Sequence, residues 1–402
     1  MSRFTRSRWS LLAAATGLAL VLSGCGEHPM DSLTPAGPNA QKIDDLLMIV
    51  LGIATVIFIL VFGFYAYIAL KYRARAPRDG EWVAGPYDDE EFPPQTHGNT
   101  KLEIGWTLGP TLIMAVVAVF TLNTLFDIYG EAEATEGQLA VTVVGQQWWW
   151  EFQYHLDGDL DSPPDFVTAN ELVIPAGIEV PLRITSRDVI HSFWIPRLNG
   201  KRDAVPGRNH PWKIEADEPG EYQGVCTEFC GLSHAYMRKF VVAMAPADYE
   251  AWVAGQLQGQ TPLAEGDTNY AGEQTFITKC SSCHVVVGVT SRPGSDQVDG
   301  WELYTDDPET EYTVAQYIDR ELVLKSGAAP NLTHFASRDH YAGATLELRD
   351  DDGNIDRAQL EAWLRNPPAE KPANAGNLRG MPNLGLSETE IDNLVDYLLS
   401  LD

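Results

Sequence analysis

Residues 226–237 are Cys226-Thr-Glu-Phe-Cys230-Gly-Leu-Ser-His234-Ala-Tyr-Met237. This short stretch contains two thiols, an imidazole and a thioether, and soft ligands of that kind select copper over hard cations. His191 opens an apolar run, His-Ser-Phe-Trp-Ile, that is typical of a strand end and supplies a second imidazole. The residues therefore predict a copper centre. Two cysteines four residues apart in an exported protein can instead form a disulfide, so the cysteines alone leave that alternative open.

The number of ligands bears on how many copper ions are bound. A mononuclear blue-copper site needs one cysteine, two histidines and a weak axial methionine, so here a second cysteine is left over. Two thiolates can bridge two copper ions, each completed by one imidazole and one weak ligand. Together with one backbone carbonyl, the donors of such a pair are Cys226, Cys230, His191, His234 and Met237.

This pattern resembles the binuclear CuA centre of cytochrome c oxidase subunit II. Three further segments are similar to those of the family: Gly145-Gln-Gln-Trp148-Trp-Trp-Glu-Phe-Gln-Tyr154, Asp188-Val-Ile-His191-Ser and Asp203-Ala-Val-Pro-Gly207. The resemblance implies that Glu228 supplies the carbonyl ligand and reaches a magnesium ion shared with the catalytic subunit. It also implies that Trp148 lies over the copper and is the electron entry point, although most aromatic runs serve only core or interface packing.

The N-terminal residues 1–24 have the layout of a secretory signal. Three arginines precede the apolar run 11–22, and small residues follow. Leu22-Ser-Gly-Cys25 resembles a bacterial lipoprotein cleavage box, which predicts that Cys25 becomes a lipid-modified N-terminus. An uncleaved membrane anchor is the alternative.

Two apolar stretches predict a transmembrane hairpin. Residues 25–45 are rich in Pro, Gly and Asn and are expected to form a tether. Residues 46–70 carry no charge and, at about 1.5 Å per residue, can cross a hydrocarbon core of about 30 Å. Basic residues follow at once, so the loop 71–103 is expected in the cytoplasm. Residues 104–126, interrupted by Gly109-Pro110, form the second span and return the chain to the outer face.

Glu103 lies three residues before Trp106 at the inner edge of the second span. It resembles the carboxylate at the mouth of a proton pathway in the oxidase family. An interfacial acid whose carboxylate reaches into water is the alternative.

Residues 138–257 alternate short β-rich runs with turn clusters, which indicates a β-sandwich or barrel. The expected strands are 139–144, 148–154, 171–174, 180–185, 212–216, 222–225 and 240–244. The resemblance implies a cupredoxin-type Greek key with metal ligands on loops at one end. Residues 248–257 are expected to form a capping helix, and residues 258–267 a linker.

A second soluble domain is expected over residues 268–402. Cys280-Ser-Ser-Cys283-His284 is the c-type haem attachment motif, in which both thiols bond the porphyrin and His284 ligates the iron. Thioredoxin-like and zinc sites are the alternatives.

Met381 is the only methionine after Met244 and is expected as the second axial ligand, with His334 and His340 as competitors. Pro330 resembles the proline that packs on the haem in this family. Helical periodicity over 271–279, 357–364 and 388–399 predicts an all-α domain.

Charge and cysteine use limit the possible functions. The formal net charge of −28 excludes nucleic acid as a partner by repulsion. Residues 267–402 hold 24 acidic and 10 basic residues, a surface that either steers a basic redox partner or serves solubility. The five cysteines are accounted for by lipid, copper and haem, so none remains for a structural disulfide.

The sequence thus predicts a multidomain membrane protein: a two-helix transmembrane hairpin, an all-β cupredoxin Greek-key domain and an all-α cytochrome c domain. The resemblance implies subunit II of a bacterial proton-pumping cytochrome c oxidase in the plasma membrane, with both soluble domains outside. Electrons would pass from a cytochrome c or other small donor to haem c, to CuA, and then to subunit I, which lies among other membrane subunits. Alternatives are the electron-entry subunit of a nitric oxide reductase and a copper-binding lipoprotein without a catalytic partner. A quinol-oxidising homologue would have no use for these copper ligands.

Overall fold

The computed structural model describes residues 16–17, 28–73, 97–129, 137–290, 329–350, 352–373 and 379–402. The chain divides into two compact units, Gln41–Ile128 on one side and Met1–Ala40 with Tyr129–Asp402 on the other. The expected signal at 1–24, apart from residues 16–17, and most of the expected loop at 71–103 lie outside the described residues. So do Cys25 and most of the stretch between His284 and Pro330.

Two long helices are apolar enough to span a membrane. Helix α1 spans Pro38–Lys71 and helix α2 spans Thr100–Tyr129, so both contain the spans expected from hydropathy. Helix α1 begins inside the expected tether, because Pro38 suits a first helical turn and the Ala40 amide donates to the Leu198 carbonyl. Pro110 lies inside α2 without ending it, so the expected interruption is wrong. Membrane helices tolerate proline where neighbouring groups satisfy the freed backbone.

The β-domain consists of two five-stranded sheets. Its strands are β1 Ala140–Gln146, β2 Trp149–His155, β3 Phe166–Ala169, β4 Glu171–Pro175, β5 Val180–Ser186, β6 His191–Trp194, β7 Lys201–Ala204, β8 His210–Ile214, β9 Gly220–Cys226 and β10 Arg238–Met244. The strand orders are β3-β2-β1-β5-β8 and β4-β10-β9-β6-β7. Each of the seven expected runs overlaps a strand, although the run expected at 212–216 is a strand only to Ile214. The four-residue edge strands β3 and β7 were missed because they are too short for a clear alternation.

Apolar side chains from both sheets fill the core of the β-domain, among them Trp150, Phe152, Tyr154 and Phe193. Strands β6 and β9 pair antiparallel with Phe193 opposite Cys226, which brings the start of β6 to the end of β9. Helix α3, Pro246–Gln256, packs on β4 and β10, and its Trp252 ring lies against Tyr154 of β2 and Phe166 of β3. The sandwich therefore supplies a rigid base for loops at one end.

The C-terminal domain is built mainly from helices. They are α4 Tyr270–Lys279, α5 Arg357–Arg365, α6 Pro367–Glu370 and α7 Glu388–Leu398, and a small sheet of β11 His340–Tyr341 and β12 Leu346–Glu347 accompanies them. Helix α7 packs on α4 and α5, and its apolar face meets Phe276, Leu348 and Leu360 in one core. Part of the expected linker is bound to this domain, because the Gln260 amide donates to the Val287 carbonyl at 2.8 Å.

Candidate copper and haem sites

The loop between β9 and β10 carries most of the copper-type donors. Its ends are tied together, because the Cys226 amide donates to the Met237 carbonyl at 3.0 Å. His234–Tyr236 form a short 3-10 helix within the loop. Gly231 has a φ of 112°, a conformation that favours glycine. A Cβ there would also lie 3.0 Å from the Gln147 side-chain nitrogen, so the turn requires a residue without one.

The donor atoms converge in two matched halves. Cys226 Sγ lies 3.8 Å from Cys230 Sγ and 3.9 Å from His191 Nδ1. Cys230 Sγ lies 3.5 Å from His234 Nδ1 and 3.8 Å from Met237 Sδ. The remaining donor is the Glu228 carbonyl oxygen, 3.3 Å from Cys226 Sγ. Each thiol therefore has its own imidazole and its own weak donor.

Two residues fix the position of His191. The Asp188 carboxylate lies 2.8 Å from His191 Nε2, so the ring presents Nδ1 to the thiols. Gly145 of β1 faces the ring, and a Cβ on it would lie 2.8 Å from His191 Cδ2. The contacts with Asp188 and Gly145 thus determine the orientation of the His191 ring.

The two thiols are coupled electrostatically. Hydrogen bonding with Cys230 and His191 lowers the pKa of the Cys226 thiol below its ordinary value, against the effect of burial. The bond with Cys226 and burial raise the pKa of Cys230. The second thiol keeps its proton more strongly than the first, because a second thiolate beside the first is unfavourable. A bound metal of positive charge would remove that proton as well.

The donor set fits a pair of copper ions. Both thiols and His191 are buried and their ligand atoms lie within 4.8 Å of one another. Thiolates, imidazoles and a thioether are the soft and borderline ligands that suit copper, and the pairing would offer each metal a thiolate, an imidazole and one weak donor.

The haem motif lies at the end of α4. The His284 amide donates to the Cys280 carbonyl at 2.9 Å, and the Cys283 amide donates to the same oxygen at 3.0 Å. His284 Nδ1 donates to the Pro330 carbonyl at 2.8 Å, which leaves Nε2 for an iron. Burial lowers the pKa of His284, so the neutral ring that ligates metal is favoured. These residues fit a covalently held haem.

The three candidates for the second axial ligand have different surroundings. Met381 packs at the edge of the core cluster that contains Cys280. Both ring nitrogens of His334 lie about 3 Å from backbone carbonyls, at 3.1 Å from Asp402 and 3.0 Å from Gln258. His340 Nδ1 lies 3.0 Å from the Glu171 carboxylate of the β-domain. Both histidines are therefore engaged elsewhere.

Known proteins resemble the chain along nearly its whole length. Cytochrome c oxidase subunit 2 of Alkalihalophilus pseudofirmus is 34% identical over 390 residues, covering 96% of this chain and 94% of that protein. The chain belongs to the cytochrome c oxidase subunit 2 family. The subunit 2 of Bacillus sp. PS3 is 30% identical over 407 residues and covers 98% of this chain and 97% of that one.

Three family models match successive parts of this oxidase subunit. They are the cytochrome c oxidase subunit II transmembrane domain at residues 31–124, its periplasmic domain at 162–244, and cytochrome c at 270–402. Among solved structures, the periplasmic domain of subunit II from Bradyrhizobium japonicum is 26% identical, covers 31% of this chain and 96% of that one, and has a TM-score of 0.27. The expected family and fold class are confirmed, and family membership makes the chain a subunit of an oxidoreductase complex that uses copper and haem.

In this oxidase subunit the cytochrome domain covers Trp148. The side chain of Trp148 is only 3% exposed, and its indole nitrogen donates to the Cys230 carbonyl at 3.0 Å. Lys371 Nζ, from the loop after α6, donates to the Trp148 carbonyl at 2.6 Å. The residue expected at the electron entry point thus lies between the copper loop and the cytochrome domain.

Sequence reasoning gave no role to several residues of this site. Asp188 lies three residues before the predicted ligand His191, and this spacing was the signal in the sequence that could have indicated its role. Lys239 is fully buried, lies 4.4 Å from the Trp150 ring centre and donates to the Val225 carbonyl at 2.8 Å. Burial lowers the pKa of Lys239 to about 7, while the charge of Cys226 opposes that shift. No sequence pattern singled out Lys239 or Lys371.

Glu103 lies in the exposed first turn of α2. The Asn99 side chain accepts from the Lys101 and Leu102 amides there and caps the helix. A carboxylate in the first turn also complements the helix dipole, so its location is compatible with both roles considered for it.

Proposed function

We propose that the chain is the electron-entry subunit of a proton-pumping cytochrome c oxidase. One observation carries the proposal: two thiols, each paired with its own imidazole, lie directly beneath the domain that bears the haem motif. When bound, copper and haem c each take up and release single electrons without bond making. The electron route from haem c through CuA to subunit I is supported by this juxtaposition.

The residues of the chain have distinct proposed roles. Cys226, Cys230, His191, His234, Met237 and the Glu228 carbonyl hold the copper pair, while Cys280, Cys283, His284 and Met381 hold the haem, with Pro330 fixing the His284 ring. Asp188 and Gly145 orient His191. The Glu228 side chain is exposed, so it is free to reach a magnesium ion shared with subunit I.

The proposed setting is a bacterial plasma membrane with both soluble domains on the outer face. Support comes from the two apolar helices and the match to a periplasmic domain. Partners are subunit I, other membrane subunits, and a cytochrome c or similar small donor. Cleavage after residue 24, lipidation of Cys25 and the domain limits 46–70, 104–126, 138–257 and 268–402 belong to the same proposal.

Metal and haem analysis of the full chain tests the cofactor content. Two coppers and one haem that resists extraction are expected per chain, with a near-infrared copper band. One copper per fully loaded chain would contradict the binuclear centre. Reconstitution with the catalytic subunit should then give oxygen uptake, whereas consumption of nitric oxide alone would favour a reductase.

A further inference from the structure

Two short pieces of the cytochrome domain, residues 371–373 and 379–381, contact the copper domain. We call them the covering segment. At its first end, Lys371 Nζ donates to the Trp148 carbonyl at 2.6 Å and to the Ala342 carbonyl at 3.0 Å. The Ser233 hydroxyl of the copper loop donates to the Pro372 carbonyl.

The second end of the covering segment also lies on the copper domain. Arg379 Nη1 is 3.6 Å from Asp188, the carboxylate that orients His191. A Cβ on Gly380 would lie 3.7 Å from the Trp148 ring, so the backbone there passes close to the indole. Met381 follows directly. The second piece of the covering segment, which passes close to Trp148, therefore ends at Met381, the expected axial ligand of the haem.

A second loop of the cytochrome domain is shaped around the Lys371 amine. Gly343 has a φ of 76°, and a Cβ on it would lie 2.0 Å from Lys371 Nζ and 2.9 Å from the Trp148 carbonyl. The Gly343 carbonyl accepts from the Arg238 amide of β10 at 3.0 Å. Only a residue without a side chain lets the lysine reach Trp148 past this loop.

We propose that Lys371 is a positioning residue that fastens the cytochrome domain over Trp148, so that copper receives electrons from the chain's own haem and external donors are kept from Trp148. The inference rests on the proposed electron route. With both groups bound, the transfer would move one electron from the haem iron to the copper pair, and no bond or proton would change hands. External donors would then react only with the haem.

Lys371 is suited to this role because its amine joins the two domains: one of its bonds reaches Trp148 of the copper domain and the other Ala342 of its own domain, and both are partly buried. Removing the amine leaves the Trp148 and Ala342 carbonyls without this donor, and an unsatisfied buried carbonyl is costly. The ratio of docked to undocked cytochrome domain should fall about tenfold or more. Neither the copper ligands nor the haem ligands are touched by the change.

The test uses the full chain loaded with copper and haem, as the variants Lys371→Met and Gly343→Ala. Arg365→Met is the matched control, since it also replaces a long basic side chain by methionine but breaks an exposed pair with Glu388. After rapid reduction of the haem, electron arrival at copper is followed in the near infrared. Hydrogen exchange of the Arg238 amide measures docking independently.

Both interface variants should raise Arg238 exchange about tenfold and slow the haem-to-copper transfer relative to Arg365→Met, with unchanged spectra and metal content. An external donor should then reduce copper directly in Lys371→Met and not in the control. Rates and exchange equal to those of Arg365→Met would overturn the inference. If the wild-type haem does not reduce copper at all, the proposed route fails, and Arg238 exchange still decides whether Lys371 fastens the domain.

Discussion

At the scale of single residues, the two imidazoles of the copper site have unequal surroundings. His191 is fully buried, bonded to Asp188 and packed edge-on against Trp150 at 5.9 Å. His234 is half-buried and stacks edge-on against Phe229, which is 77% exposed. The His191 imidazole is thus held by its neighbours and shielded from solvent, while the His234 imidazole lies on the more exposed side of the site.

The ligand types predict a graded response to substitution. Cys226→Ser should abolish the paired centre, because a hydroxyl is a hard ligand and cannot bridge two coppers as a thiolate does. Met237→Leu should keep both coppers and shift the reduction potential, since the thioether is the weak ligand. Copper content and the near-infrared band measure both effects, with Met244→Leu as the control. An intact band in Cys226→Ser would place the site elsewhere.

Met381→Ala should leave the haem attached but lower its reduction potential. The thioether stabilises ferrous iron, and its loss leaves a five-coordinate or water-ligated haem. Haem content should stay constant while the low-spin spectrum disappears. His334→Gln is the control, because both nitrogens of His334 contact backbone carbonyls. Persistence of the far-red thioether-to-iron band in Met381→Ala would assign the ligand to another residue.

At the scale of elements, helix α7 is well defined at its first turn. Ser387 and Glu390 form a reciprocal capping box, with the Ser387 side chain accepting from the Glu390 amide and the Glu390 carboxylate accepting from the Ser387 amide. Leu394 and Val395, on its inner face, are fully buried in the domain core. The cap fixes where the helix begins, and the packed face fixes its orientation.

Ser387→Ala should destabilise the cytochrome domain by about 1 kcal/mol, because the Glu390 amide loses the Ser387 hydroxyl as its acceptor. Denaturant unfolding of the full chain, followed by haem absorbance, measures the change. Thr389→Ala is the matched control, since it removes an exposed hydroxyl two residues later on the same helix. Equal losses in the two variants would show that the capping box contributes nothing specific.

At the scale of the whole molecule, a second contact joins the two soluble domains. The Glu171 carboxylate of β4 accepts from the His340 and Asp339 amides, at 2.6 Å and 3.1 Å, and lies 3.0 Å from His340 Nδ1. The His340 ring stacks on Phe240 at 3.8 Å. This contact places an ionisable imidazole within the interface.

Docking should weaken as pH rises. Burial lowers the pKa of His340, but the bond to Glu171 and the charges of Glu171, Glu221 and Asp339 outweigh it and raise the pKa overall. A raised pKa means that the docked state binds the proton more tightly. The stabilisation is therefore complete below about pH 6.5, the ordinary histidine value, and is lost as pH rises through the docked pKa.

Burial also raises the pKa of Glu221, so the loss of its proton likewise weakens docking as pH rises. The nearby Arg338 stays charged throughout. Hydrogen exchange of the His340 amide, referenced to that of Leu348, measures the effect against pH. His340→Gln supplies a neutral, non-titrating side chain of polar character. An equal pH slope in that variant would exclude His340 as the responsible group.

Glu103→Gln should slow turnover of the assembled oxidase and leave copper and haem spectra unchanged. In the proposed topology this carboxylate is at the cytoplasmic end of a span, a membrane width from the outer face, where it would act on proton supply. Oxygen uptake at saturating donor is the measurement, and Glu103→Asp, which keeps the charge, is the control. Full turnover in Glu103→Gln would indicate instead that Glu103 is an interfacial acid whose carboxylate reaches into water.

Local patterns in the sequence were sufficient for the family, both apolar helices and most strands, while the ligand roles drawn from them stay predictions. Each of these depends on residues close together along the chain, such as the spacing from Cys226 to Met237 or an uninterrupted apolar run. Periodicity and side-chain chemistry therefore carry the information. The short edge strands β3 and β7 and the uninterrupted helix at Pro110 were not predicted, because packing there overrides weak or contrary local signals.

Only the tertiary structure decided how distant residues meet. His191 reaches Cys226 because β6 pairs with β9 in one register, with Phe193 opposite Cys226. Lys371 reaches Trp148 across 223 residues of sequence, and His340 reaches Glu171 across 169. Neither lysine nor histidine carries a local signal for such a contact, since its partners are defined by the packing of one folded domain on another.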